Sequence, residues 1–231
     1  MRIALLGGAG RMGQAIKELA ECDDFAGPAS GTARDTDVLI DFSSPEGTVE
    51  AALYCQSMQL PLVTGTTGLD DEQQATVREA SSVVPIVQSG NMSLGVTMLK
   101  RLVAEAAEAL QGFDIEILET HHRHKKDSPS GTALLLGEAA ARGRGTTLSE
   151  RAKFSRHGRE ETRHPDEIGF AVRRGGGVYG EHDVSFMSEG ETVTLSHQAL
   201  SRDAFARGAL TAAKWVISQP PGLYGMDDVL A

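Results

Sequence analysis

The 231-residue sequence predicts an α/β protein in two parts, a parallel-sheet domain followed by an α+β domain with a mixed sheet. Three observations lead there. Over residues 2–87, short apolar runs alternate with longer amphipathic ones. Beyond Asn91 the apolar runs follow one another closely and alternate with period two. The composition, with 26 glycines and only 5% aromatic residues, suits an α/β chain of many tight turns.

Taken in order, residues 3–6, 38–42, 62–63 and 83–87 read as buried strands bounded by Gly, Pro or Asp. Residues 11–22, 45–58 and 70–80 carry helical spacing, and Pro45 suits a first helical turn, where its missing N–H costs nothing. This βαβ alternation predicts a parallel sheet, so the first part is Rossmann-like. Residues 96–110 then form one long helix closed by Gly112. From Phe113 to Ile117 the alternation marks a strand with one buried face. Further strands are predicted at 168–172, 178–187 and 192–197, with a hairpin turn at Ser188–Glu191 between the last two. A final helix covers 204–217, and the basic, polar stretch 143–163 reads as an exposed excursion with a weak strand at best.

Charge and composition limit what such a chain does. The 22 Lys and Arg stand against 32 Asp and Glu, a net charge of -10 that opposes nucleic-acid binding. The two cysteines, Cys22 and Cys55, fit neither a disulfide framework nor a CxxC zinc site, which points to a reducing cytoplasm. The apolar run at Ile3–Leu6 breaks into glycines too early for a signal peptide, and no stretch approaches the roughly 18 apolar residues of a membrane span.

The first strand runs directly into Gly7-Gly8-Ala9-Gly10-Arg11-Met12-Gly13, with a helix following. Gly8, Gly10 and Gly13 satisfy GxGxxG, and Gly7, Gly10 and Gly13 satisfy GxxGxxG. Either spacing permits a tight turn and brings backbone N–H groups to a pyrophosphate, as a dinucleotide requires. An acidic residue about 20 positions on is expected to grip the ribose. Residues 26–33 hold no carboxylate, and Arg34 is either a partner for a 2′-phosphate or a solvated charge, so NADH and NADPH both remain open. Three more segments end at the same sheet edge. They are Asp41-Phe42-Ser43, Gly65-Thr66-Thr67 with its flanks, and Ser89-Gly90-Asn91-Met92. Their small and hydroxylated residues let a cofactor lie against backbone, with Phe42 flanking it.

The richest stretch is Glu119-Thr-His121-His122-Arg-His124-Lys125-Lys-Asp127-Ser-Pro-Ser130-Gly131-Thr132. Strand alternation puts His121 on the face of Ile115 and Ile117, and His122 on the other. An imidazole there suits proton transfer near neutral pH, and Lys125 suits holding a carboxylate or relaying a proton. Ser130 reads as the N-cap of a helix over 131–142, whose free N–H groups make an anion site. The competing readings are a zinc site built on the three histidines and a polar loop before a capped helix; no Cys pair or HExxH supports zinc. Three consecutive glycines, 175–177, make a mobile or closely approached backbone, or simply a long hairpin loop.

Together these stretches resemble the 4-hydroxy-tetrahydrodipicolinate (dihydrodipicolinate) reductase family. The carrying segments are Gly7–Gly13, Asp41–Ser43, Gly65–Gly68, Asn91–Val96, Glu119–Ala133, the Arg174-x-Gly176-x-x-x-Gly180-x-His182 pattern, and Gly222–Leu230. The resemblance implies reduction of a small cyclic dicarboxylate by NADH or NADPH in lysine and diaminopimelate biosynthesis, with no nucleic-acid or membrane partner and no metal. It implies His121 and Lys125 as proton donors, and His122, Gly131 and Thr132 as carboxylate ligands assisted by Lys125 and Ser130. Gly7, Gly8, Ala9, Gly10, Arg11, Met12, Gly65, Thr66, Thr67, Ser89, Gly90, Asn91 and Met92 would line the cofactor. It further implies a homotetramer and a cofactor domain of residues 1–92, completed by 202–231, around a substrate and oligomerisation domain of 93–201. Ser128 and Lys126 depart from the family pattern, and the chain between Phe25 and Asp37 is shorter than the family norm. The other functional classes consistent with the residues are an amino-acid dehydrogenase of similar plan and a nucleotide-sensing protein without turnover.

Overall fold

The structure, a computed structural model, describes residues 1–25, 35–159 and 162–231. The Arg34 and 26–33 expectations lie outside these residues. The chain divides into two compact units, Met1–Leu94 with Arg202–Ala231, and Gly95–Ser201.

The first unit is built on a six-stranded sheet that is parallel throughout, ordered β11-β5-β4-β3-β1-β2. Its strands are β1 (Ile3–Leu6), β2 (Asp23–Asp24), β3 (Val38–Asp41), β4 (Leu62–Thr64), β5 (Pro85–Gln88) and β11 (Gly222–Tyr224). The inner strands are buried on both faces, and their unbroken apolar runs are what a helix-covered parallel sheet demands. On one face, Ile3, Leu5, Val38, Ile40, Val63 and Val87 pack with the alanine stripe of α7 (Asp203–Val216), namely Ala206, Ala209, Ala212 and Ala213. On the other, Leu39, Leu62 and Ile86 pack with Ala51, Ala52 and Cys55 of α2 (Pro45–Met58) and Val77 and Ala80 of α3 (Asp71–Ser81). Gly208 sets how close α7 can come, since a Cβ there would run into the Met92 carbonyl oxygen.

The helix ends follow local chemistry. Ser44 accepts from Gly47 N–H to start α2, with Pro45 in its first turn, and Gln59 closes the helix at φ 54°. Asp70 and Gln73 form a reciprocal capping box at the start of α3. α1 (Arg11–Leu19) ends three residues short of the predicted 22, and β5 begins two residues later than predicted because Val83 closes the turn after α3.

The second unit holds a mixed five-stranded sheet, ordered β10-β9-β6-β8-β7. Strand β6 (Asp114–His121) lies at its centre, antiparallel to β9 (Glu181–Met187) and parallel to β8 (Ile168–Arg174). β10 (Thr192–Gln198) and β7 (Ala152–Lys153) form the edges. β6 alternates half-buried and buried along its full length, with Ile115, Ile117, Glu119 and His121 on the buried side. The apolar members of that face pack with α4 (Leu94–Ala109) and α5 (Gly131–Gly143). The predicted excursion at 143–163 contains a short helix, α6 (Leu148–Arg151), as well as β7. The strand predicted from Val178 begins only at Glu181, and the Val178 carbonyl accepts from His122 N–H. The C-terminal β11 and α8 (Met226–Val229) are too short to show a period.

Candidate active site

In the second unit the site is assembled around the end of β6. His121 is 7% exposed and Glu119, two residues earlier on the same face, is 1% exposed. Glu119 Oε2 accepts from His121 Nδ1 at 2.7 Å, and Oε1 accepts from Ser130 N–H at 2.9 Å. Arg174, at the end of β8, forks onto both oxygens at 2.7 and 2.8 Å and also donates to the Asp127 carbonyl. In the parallel register Arg174 stands opposite His121, which is how a residue 55 positions from Glu119 reaches it. Burial pushes the Glu119 carboxyl up, but Arg174, His121 and the Ser130 N–H outweigh it and hold the group below the usual carboxylate range. Burial also pushes His121 below its ordinary value, against the upward pull of Glu119.

Ser130 caps α5 as its position before the helix predicts, its Oγ accepting from Ala133 N–H at 3.1 Å. The hydroxyl meets His182 Nε2 at 3.1 Å on its other side. His182 is 3% exposed, and burial, reinforced by the His121 charge, lowers its pKa to about 3. It is therefore neutral and shares one hydrogen bond with the Ser130 hydroxyl. A Cβ on Gly131 would meet nothing within 4 Å, so the first turn of α5 faces open space. Lys125 is half-buried and ion-paired to Asp127 at 3.0 Å. His122 lies just beyond the end of β6 rather than on its other face, and its buried Nδ1 has no hydrogen-bond partner. The Gly175 N–H and the carbonyls of Gly176 and Val178 bond the backbone of His121, Arg123 and His122, while a Cβ on Gly175, Gly176 or Gly177 would meet nothing within 4 Å, so the expected close approach is not what places three glycines here. Among the described residues no group of three His, Cys, Asp or Glu side chains is arranged to hold a metal.

In the first unit, the parallel sheet brings the predicted segments to one edge. Gly7 takes φ +83°, and Cβ atoms on Gly7 and Gly13 would strike the Phe42 carbonyl and the Gly7–Gly8 backbone. α2 and α3 have their N-termini closed by Ser44 and Asp70 side chains; α1 begins at Gly10 with no capping side chain and no acid in its first turn. That open, positively polarised terminus fits the diphosphate of a dinucleotide. The neighbouring loops are tied together by Asp41, fully buried at the end of β3. Its carboxyl receives the hydroxyls of Ser43, Thr48, Thr64 and Thr66. The ring of Phe42 lies against the Cα of Gly65, where any side chain would collide with it. Ser89 and Asn91 brace their own turn, Ser89 Oγ with Asn91 N and O, and Asn91 Oδ1 with Ser93 N–H.

An acidic residue ahead of 26–33 does lie beside the glycine loop. β2 pairs with β1, Leu5 opposite Asp24, and Asp24 Oδ1 stands where a Cβ on Gly8 would be, ion-paired to Lys17 of α1 at 2.6 Å.

Comparison with known proteins decides the family. The family described as dihydrodipicolinate reductase, N-terminus, matches residues 27–92, and its C-terminal counterpart matches residues 95–230. The chain belongs to the dihydrodipicolinate reductase family. Proteins named 4-hydroxy-tetrahydrodipicolinate reductase from Zymomonas mobilis and from Caulobacter vibrioides are each 46% identical, over 100% of this chain and 97% of the relative. A dipicolinate-bound dihydrodipicolinate reductase from Paenisporosarcina sp. TG-14 shares the fold, with a TM-score of 0.81 at 23% identity, covering 100% of this chain and 99% of that one. Against the family resemblance drawn from sequence, the site residues that went unassigned are Glu119, Arg174, His182, Asp41 and Asp24. Glu119 was legible by period two from His121 and Asp41 stood in a segment already singled out, while Arg174, His182 and Asp24 needed the sheet registers.

Proposed function

We propose that this chain reduces 4-hydroxy-tetrahydrodipicolinate to tetrahydrodipicolinate, with net loss of water, using NADH or NADPH. The observation that carries the reading is the convergence after β6 of an imidazole, a lysine and the open first turn of α5 in one unit of a dihydrodipicolinate reductase family member. A bound reduced nicotinamide supplies the hydride.

The protein's own residues do the rest. One substrate carboxylate is received by the N–H groups of the first turn of α5 at Gly131 and Thr132, where helix polarity favours an anion. Ser130 keeps that turn in place, its Oγ already committed to Ala133 and His182. Lys125 exchanges its Asp127 partner for the substrate and serves as a second proton donor; the unpartnered His122 Nδ1 adds a polar contact. His121 delivers or accepts a proton at Nε2, since Nδ1 is held by Glu119.

The open α1 terminus, with Gly7 to Met12, holds the diphosphate, and Gly65–Thr67 and Ser89–Met92 border the nicotinamide half, with Phe42 shaping that edge through Gly65. Asp24 accepts a ribose hydroxyl, and Lys17 beside it offers a cation to a 2′-phosphate. The first unit is accordingly the dinucleotide domain and the second the substrate domain. Assembly as a homotetramer through the second sheet is supported by edge strand β10, which is largely exposed and carries Val193 at 38% exposure. Cytoplasmic location is supported by two free cysteines, and no helix among the described residues is long and apolar enough to cross a membrane.

The test is nicotinamide oxidation with freshly generated cyclic substrate, with either dinucleotide. Substrate-dependent oxidation, lost in His121→Gln while dinucleotide affinity is kept, is the expected result. A folded chain that binds dinucleotide yet oxidises none with this substrate would overturn the reading in favour of a sensor.

A further inference from the structure

Glu119 is a buried ionisable group to which the reaction gives no task. A carboxylate offers about four acceptor sites, two on each oxygen. Here His121 Nδ1 and Arg174 Nη1 use Oε2, while Ser130 N–H and Arg174 Nη2 use Oε1. A carboxylate so saturated has no site left to shuttle a proton. It does something else: one rigid group touches both the proton donor and the N-cap of the anion-binding helix.

We infer that Glu119, clamped by Arg174, is a positioning residue that fixes His121 in the Nδ1–H form and holds it in register with the α5 terminus. The inference rests on the reductase reading of this site. Because Glu119 is ionised, the proton between it and His121 belongs to the imidazole, so Nε2 is the nitrogen that exchanges. Gly180 keeps that nitrogen reachable, since a Cβ there would stand 3.0 Å from His121 Nε2. Behind Ser130, neutral His182 hydrogen-bonds the hydroxyl and so holds the cap from the opposite side. The groups facing His121 are Glu119 from its own strand, Lys125 from the following loop, Arg174 from β8 and His182 from β9, whose ring centre lies 5.2 Å away.

Glu119→Gln keeps the shape and breaks the logic. If the amide oxygen turns to His121, the amide NH2 faces Ser130 N–H, donor against donor. If the NH2 turns to His121, Nδ1 must accept and the proton moves to Nε2. Either way the negative charge that raises His121 is lost while Lys125 and Arg174 remain, so His121 protonates at lower pH.

The experiment is histidine side-chain NMR of the full chain, wild type and Glu119→Gln, beside kcat and KM profiles against pH. Expected are an Nδ1–H neutral tautomer in the wild type and, in the variant, a changed tautomer or lower titration midpoint for His121. The alkaline limb of kcat should move to lower pH, with kcat down on the order of 10²-fold, the scale of a well-placed general acid. An Nε2–H wild-type tautomer overturns the inference and needs no variant. So does a folded variant whose His121 signals or kcat profile match the wild type. Failure of the reductase reading is separate, because it appears in the wild type as absent turnover whatever the tautomer.

Discussion

Lowering the pH from neutrality should strip stability from the second unit at His182. The ring is 3% exposed, and burial brings its pKa to about 3, helped by the His121 charge, opposed by Glu119, and helped again by His197 and Lys125. In the unfolded chain the same ring titrates near 6.5. A depressed pKa means that the folded state binds fewer protons, so this contribution is complete above about 6.5 and is lost as the pH falls towards 3. Between pH 7 and pH 5 the unfolded ring gains about three quarters of a proton and the folded ring almost none, a loss of about 2 kcal/mol. The assay is urea unfolding followed by far-ultraviolet circular dichroism across that range, in the wild type and in His182→Gln, whose amide can still hydrogen-bond Ser130. His121 and His197 are also shifted down and steepen both curves, so the difference between the two proteins reports His182 together with its coupling to His121. Parallel curves would refute the reasoning, as would an NMR titration of His182 near its unfolded value.

Four other substitutions test other parts of the account. Gly131→Val places its side chain in open space, so KM for the dicarboxylate should rise about tenfold with a stability change within ~1 kcal/mol; an unchanged KM puts the carboxylate elsewhere. Asp24→Ala should shift preference towards NADPH and Lys17→Ala towards NADH, each only a few-fold because both groups are partly exposed and screened; shifts of the opposite sign would dismiss Asp24 as the ribose partner. Gly208→Ala should cost about 1–3 kcal/mol by pushing α7 off the Met92 carbonyl, read from the fluorescence of the sole tryptophan, Trp215, during thermal unfolding; an unshifted midpoint would contradict that close approach.

What was legible in the sequence was local. Apolar runs of strand length and the Ser130 cap are written in neighbouring residues, and so is the alternation that turns His121 inward, because period two and helix capping act within a few positions. What was hidden depends on register. Arg174 meets Glu119 only because β6 and β8 run parallel with His121 opposite Arg174, and His182 arrives because β9 pairs it with Glu119. Asp24 was missed for another reason. β2 is two exposed acidic residues with no apolar signature, and it sits closer to the glycine loop than the usual interval allows. Asp41 sat in plain view among small polar residues, but four hydroxyls from three separate segments had to fold onto it before its part in tying the loops appeared.

The return of the chain to its first sheet has a bearing on how the protein is made. Strands β1 to β5 are synthesised early, yet the alanine stripe that covers one of their faces comes from α7, and β11, which flanks β5, comes later still. Until those last residues emerge, a nascent chain carries an apolar sheet face without its cover and β5 as a bare edge. The second unit, continuous from Gly95 to Ser201, has all its parts sooner and can finish first. Truncation ahead of Arg202 therefore removes more than a tail: it leaves the earliest-made half of the protein as the half that cannot close.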